Sequence, residues 1–257
     1  MYVAVSGAIA AQKRLDSIAN NIANVNTAGF KSDKLVFESY LAKSEREGEP
    51  GAPVKGKGAA ALRQAEFVVA TESYADYTVG SIRETGSPYD IAIAGNGFLS
   101  VMTYEGERFT RAGNLSKNED GALVSSQGYP VLDETNRLIY VNDKYVTIDK
   151  EGSVWLTNNE EFQEYSDYAG KIKIVEFLKP ENLVKEGNGL YRSDNPAEGF
   201  AARDTRVIQG SLESSNVNII REMTAMIQNQ RITESYTKVI QTSDQMTGTL
   251  LSNLGRP

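Results

Sequence analysis

The chain opens MYVAVSGAIAAQKRLDSIANNIANVNTAGFK, residues 1–31. Within this stretch Met1, Ala4, Ala8, Ala11, Leu15, Ile18, Ile22 and Val25 recur at an unbroken spacing of three and four. That is the a/d seam of a heptad helix. The alanines of its first half admit close approach of a second helix. Asn20, Asn21 and Asn24 fall off the seam, on the opposite side. Asparagine is a middling helix former whose amide both donates and accepts, so the cluster reads either as a polar face or as hydrogen bonding between helices. The helix is expected to break at Asn26-Thr27-Ala28-Gly29, where Gly29 can take the left-handed conformation that ends helices.

The other end of the chain carries a second helical pattern. Between Asn216 and Leu254 there is no proline and the only glycine is Gly248; at 1.5 Å per residue this is a rod of nearly ~60 Å. Its apolar residues fall into two groups, Ile219, Met223 and Met226, then Ile232, Tyr236, Val239, Met246 and Leu250. The second group keeps heptad spacing with Ser243 in the gap, and the two groups do not share one register, so the helix presents more than one apolar face. Glu234 and Lys238 form a favourable i,i+4 pair.

Between the ends the pattern changes. Lys31 to about Glu49 is charge-rich and mixed in sign, and 48–58 reads as a loop or flexible linker, with two prolines and four glycines. From about Glu66 to Arg206 short period-two runs predict strands, among them 122–124, 138–141, 154–156 and 171–177. Asn96-Gly97 between the alternating runs Ile91–Ala94 and Leu99–Val101 reads as a hairpin turn. The middle is therefore expected to be all-β. A helix as long as the second pattern cannot bury its faces on a middle of this size, so the two terminal helices must pack on each other, on other subunits, or both.

Composition narrows the function. Of 257 residues, 40% are apolar and 24% charged, near globular averages. The net charge is −7, which argues against nucleic acid or an anionic membrane as the main partner. With no histidine and no cysteine, imidazole or thiolate zinc sites, His-based triads, cysteine nucleophiles and disulfides are excluded. No segment approaches the ~20 apolar residues that span a bilayer. The basic Lys13 and Arg14 follow the first apolar stretch, the reverse of a secretory signal. Ser116–Gly121 lacks two key ligands of a calcium loop, and Gly95-Asn96-Gly97 lacks the third glycine and following helix of a dinucleotide loop. Asn114-Leu115-Ser116 matches a glycosylation triplet of the kind common by chance. No cofactor or metal is expected, and the residues point away from an enzyme.

Three sets of motifs carry a resemblance. The run Ser17 to Lys31, ending Asn24-Val25-Asn26-Thr27-Ala28-Gly29-Phe30-Lys31, resembles the N-terminal signature of the bacterial flagellar rod and hook family. Gly210-Ser211-Leu212-Glu213-Ser214-Ser215-Asn216-Val217-Asn218, with Glu222-Met223 and Met226-Ile227 beyond it, is similar to the start of that family's C-terminal helix, and Gln230-Arg231 and Asp244-Gln245-Met246 fit further along. Thr85–Ile93, Gly95–Phe98, Phe109–Asn114 and Gly128–Val131 resemble its β domain. Tyr89 and Leu99 stand where Leu and Phe are usual. Order and size are most similar to the F-type, proximal branch, with the G-type, distal branch as the alternative.

The resemblance implies an α+β fold, in which long N- and C-terminal helices form a coiled-coil core domain and an all-β middle domain stands outside it. The expected divisions are 1–30 for the first core helix, 31–65 for a linker, 66–210 for the β domain and 211–257 for the second core helix. It implies a structural rod subunit in the periplasmic space that transmits torque and lines the export channel, with ends that order on assembly. The implied partners are copies of itself, neighbouring rod proteins and the flagellar type III export apparatus, which it passes without a cleaved signal peptide; direct membrane insertion is not expected. The expected assembly residues are Leu15, Ile18, Asn20, Asn21, Ile22, Asn24, Val25, Asn26, Met223, Met226, Ile227, Ile232, Tyr236 and Val239. The rivals are a secreted β-domain binding module on a helical stalk and a peptidoglycan hydrolase.

Overall fold

The structure, a computed structural model, describes residues 2–41, 66–142, 144–158, 167–195, 198–202 and 205–254. Two α-helices stand at the ends of the chain, α1 over Tyr2–Ala23 and α2 over Ile219–Leu254. The end of α1 tightens into short turns, with the N–H groups of Asn24, Val25 and Thr27 donating to the carbonyls of Asn21, Ile22 and Asn24 at 3.1–3.3 Å. Gly29 then adopts φ +68°, as a helix-ending residue does. Contacts divide the chain into two units. The first holds α1 as far as Asn20, α2 from Ile220, the strand Asp33–Leu41 and the strand Glu66–Ala75 as far as Tyr74; the two strands pair with each other. The stretch 48–58 that reads as a linker lies outside the described residues.

The second unit runs from Asn21 to Ser32 and from Ala75 to Ile219. A six-stranded antiparallel sheet has the order Leu183–Gly187, Leu190–Ser193, Gly106–Thr110, Phe98–Thr103, Ile174–Phe177, Gly199–Ala201. A three-stranded sheet joins Asp167–Lys171, Ser153–Thr157 and Tyr145–Ile148. Two-stranded pairs complete it: Arg206–Gln209 with Ile91–Ala94, Ser211–Glu213 with Ile82–Glu84, and Leu115–Lys117 with Leu123–Ser125. The larger core gathers Ile91, Ile93, Leu99, Val101, Leu123, Ile139, Val154 and Ile172 with their neighbours. A smaller aromatic core packs Phe98, Phe109, Phe177 and Tyr191 around Val175 and Leu183.

Two expectations are corrected. The Asn-Gly turn does not close a hairpin: Ile91–Ala94 pairs with Arg206–Gln209, while Phe98–Thr103 pairs with Gly106–Thr110 and Ile174–Phe177. The glycines there serve close approach. A β-carbon on Gly97 would stand 2.4 Å from Ile174 Cγ2, and one on Gly95 2.9 Å from Thr205 Oγ1.

The second correction concerns the fold class. A long coiled-coil core is not found: there are two helices in the described chain, one at each end, and the rest is mostly strand. The heptad of α2 is not buried in the chain, because Ile232, Val239, Met246 and Leu250 are 43, 56, 58 and 63% exposed. Of that heptad, Tyr236, which is half-buried, is the residue turned to α1, on the same side as Asn229. A β-carbon on Gly7 would stand 2.5 Å from the Tyr236 ring, and Asn229 bonds to α1. Apolar period shows that a face needs cover; it does not say that the same chain supplies it.

Candidate assembly site: a buried charge knot and the exposed faces of the helices

The N-terminal and C-terminal motifs meet in the second unit. Lys31 Nζ donates to Glu213 Oε1 at 2.6 Å and to the Thr78 carbonyl at 2.8 Å. The Gly80 N–H donates to the same carboxylate oxygen at 2.9 Å, and Arg111 Nη1 reaches Oε2 at 3.5 Å. The side chains of Lys31, Arg111 and Glu213 are at most 1% exposed. Burial holds both the Lys31 ammonium and the Arg111 guanidinium below their ordinary pKa ranges, against the pull of Glu213. The Arg111 guanidinium also lies over the Phe98 ring, 4.9 Å from its centre.

Asn216 extends this knot through its side-chain amide. Its Oδ1 accepts the Ser32 N–H at 2.8 Å, and its Nδ2 donates to the Asp76 carbonyl at 2.7 Å. The Gly29 N–H donates to the Glu213 carbonyl at 2.8 Å, and the Asp76 N–H to that of Ser32 at 2.8 Å. The segments 27–32, 76–80 and 211–216 are thus tied backbone to side chain. These polar groups are spent on holding the fold. Among the described residues no group of Asp and Glu side chains is arranged to hold a metal ion, and no helix is long and apolar enough to cross a membrane.

A buried polar contact of the same kind joins α1 and α2 in the first unit. Asn229, 2% exposed, donates from Nδ2 to the Ala11 carbonyl at 2.6 Å. Asn229→Ala is expected to lower stability by about 1–2 kcal/mol, read as a shift of the denaturation midpoint; an unchanged midpoint would show that the bond contributes nothing.

The expected assembly residues separate by exposure. Ile18 and Asn21 are buried; Leu15, Ile22, Asn24, Val25, Met226 and Tyr236 are half-buried; Asn20, Asn26, Met223, Ile227, Ile232 and Val239 are exposed. Leu15 lines a groove with Gln12 of α1 and Gln230, Thr233, Glu234, Thr237, Lys238 and Gln241 of α2. Asn24 Oδ1 accepts from Thr27 Oγ1 at 3.2 Å, a local bond at the helix end. Lys31, Arg111, Glu213, Asn216 and Asn229 are absent from the expected set. Lys31 and Glu213 do sit inside the two terminal motifs, yet they are 182 residues apart, and no periodicity links them.

A chain that spends its buried charges on bracing its own backbone, and keeps apolar heptad residues exposed along a helix, belongs to the class of structural assembly subunits. Residues 1–31 match the family described as flagella basal body rod protein. Residues 92–156 match the D1 domain of the flagellar hook protein FlgE/F/G, and 208–254 the C-terminal part of the flagellar basal body rod FlgEFG protein. The flagellar basal-body rod protein FlgF of Caulobacter vibrioides is 33% identical over 100% of this chain and 98% of its own length. FlgF of Mesorhizobium japonicum is 31% identical over 99% of the chain and 97% of its own length. The flagellar basal-body rod protein FlgG of Bacillus subtilis is 32% identical over 96% of the chain and 95% of its own length. The chain belongs to the family of bacterial flagellar basal-body rod proteins and is a structural subunit of that rod.

Proposed function

We propose that this chain is the F-type, proximal subunit of the rod and that the exposed apolar stripes of α2 are where neighbouring subunits pack. The observation that carries this reading is the exposed heptad Ile232, Val239, Met246 and Leu250. Ile232, Val239 and Met246 are seven apart and Leu250 stands one turn beyond Met246, so the four share one helix face. A second exposed stripe, Ile220, Met223 and Ile227, lies on another side of the same helix. With α1 on a third side, α2 has apolar cover to find in two further directions, as a subunit flanked on both sides by neighbours does. Leu15, Ile18, Asn20, Asn21, Ile22, Asn24, Val25 and Asn26 belong to the same proposed interface on the N-terminal side.

Between the two stripes, Thr224, Ser235, Thr242 and Thr249 form a hydroxyl-bearing face. Each hydroxyl donates to the carbonyl four residues back, at 2.8–2.9 Å. Hydroxyls satisfied by their own helix offer little grip to a passing chain, which suits a wall of the export channel. The subunit would reach the periplasmic part of the rod through the flagellar type III export apparatus, contact copies of itself and other rod proteins, and carry torque without catalysis. The G-type, distal position is the second reading, because FlgG relatives match over a comparable share of the chain. Images of basal bodies carrying a tagged subunit separate the two by its height along the rod.

Val239→Asp and Leu15→Asp are expected to abolish motility and rod assembly. Val239 is exposed, so its substitution should leave monomer stability within about 0.5 kcal/mol. Normal swimming by a strain carrying Val239→Asp would overturn the reading.

A further inference from the structure

The three-stranded sheet has one face in the core, with Val146, Ile148, Val154 and Leu156 buried. On its other face Thr147, Trp155 and Tyr168 stand opposite one another across the strands, and Tyr145 is opposite Thr157 one row on. Trp155, Tyr145 and Tyr168 are 36, 50 and 58% exposed. The Trp155 and Tyr168 rings meet edge to face at 5.3 Å and 62°. The Trp155 indole N–H donates to Asp149 Oδ2 at 3.3 Å, while Asp149 Oδ1 accepts the backbone N–H groups of Glu151 and Ser153 at 3.0 and 2.8 Å. The indole's own donor is therefore occupied within the chain, and what the platform presents to solvent is π surface held in a set orientation.

The charges beside it are unequal. Lys171 pairs with Glu134 at 2.7 Å and Lys144 pairs with Asp167. Burial pushes the Asp149 carboxyl up, but the bonds it accepts from Ser153, Trp155 and Glu151 together hold it below the ordinary carboxylate range. Glu151 is exposed next to it, and Lys150 between the two is an exposed cation, so two carboxylates stand against one ammonium in this turn. Aromatic faces and carboxylates both attract cations.

We infer that this face docks a basic protein segment, with an arginine laid on the Trp155–Tyr168 pair and the carboxylates of Asp149 and Glu151 beside it. Arginine fits better than lysine because its planar, weakly hydrated guanidinium stacks on rings. The inference does not rest on the rod reading and fails or stands apart from it.

Trp155 is the chain's only tryptophan, so indole emission reports on this face alone. The full chain is titrated with a tetra-arginine peptide, its neutral tetra-citrulline counterpart, and chitotetraose. Tetra-arginine is expected to change the emission saturably and to bind more weakly as salt is raised; the other two are expected to do nothing. Tyr168→Ala keeps the net charge and removes an exposed ring, and should weaken tetra-arginine binding roughly three- to fivefold by calorimetry. Absence of any response to tetra-arginine overturns the inference. So does an equal response to tetra-citrulline, or binding undiminished in Tyr168→Ala, which would mean diffuse charge alone. A response to chitotetraose instead would make the face a glycan platform and overturn it as well.

Discussion

Glu213→Gln loses about 3–5 kcal/mol of stability, enough to unfold the second unit under conditions where the parent chain is folded. The reason is the asymmetry of a buried ion cluster. One carboxylate compensates the Lys31 ammonium, accepts the Gly80 N–H and faces the Arg111 guanidinium. A neutral amide leaves two cations buried without the carboxylate that lies between them. Lys31 can shed its proton; Arg111 cannot. Replacing all three together, with Lys31→Met, Arg111→Met and Glu213→Leu, should restore most of the loss, because a buried charge cluster adds little over well-packed apolar groups. Denaturant unfolding followed by Trp155 emission reads both variants. A midpoint for Glu213→Gln matching the parent would refute the role assigned to the knot.

Gly29→Ala should cost about 3–5 kcal/mol, by a different route. Its φ of +68° is strained for any side chain, and its β-carbon would stand 2.3 Å from the Arg111 carbonyl carbon. Neither neighbour can yield easily, since the Gly29 N–H is bonded to the Glu213 carbonyl and Arg111 is buried. Gly86→Ala is the control. Gly86 has φ +74°, but nothing lies within 4 Å of its β-carbon, so only the backbone term of about 1–2 kcal/mol should appear. Equal losses at the two positions would show that the contact with Arg111 contributes nothing.

These two positions mark where reading the chain as a sequence reaches its end. Gly29 is legible as a helix stop, because left-handed glycine at a helix end is local chemistry. That the α-hydrogen standing in its side-chain position faces the backbone of Arg111 is not, since nothing near residue 29 names residue 111. Glu213 lies inside a motif that marks the family, but the motif does not say which cation it meets. The hairpin reading at Asn96-Gly97 failed for the same reason. The turn signal is sound, yet Ile91–Ala94 finds a better partner in Arg206–Gln209, far along the chain. Asn229 gave no signal at all, because one amide in a helix rich in polar residues is indistinguishable from a solvated one until α1 is placed against it.

The sequence by itself determined the terminal helices, the strand-rich middle and the rod family, since heptad spacing, alternation and short motifs are written within a few turns of chain. It also determined that α2 must find apolar cover. Only the tertiary structure decided that α1 does not provide it for Ile232, Val239, Met246 and Leu250, and that Lys31 and Glu213 close a knot across 182 residues. Periodicity measures what a face needs, whereas partners are chosen by long-range packing and by the cost of leaving a buried charge alone.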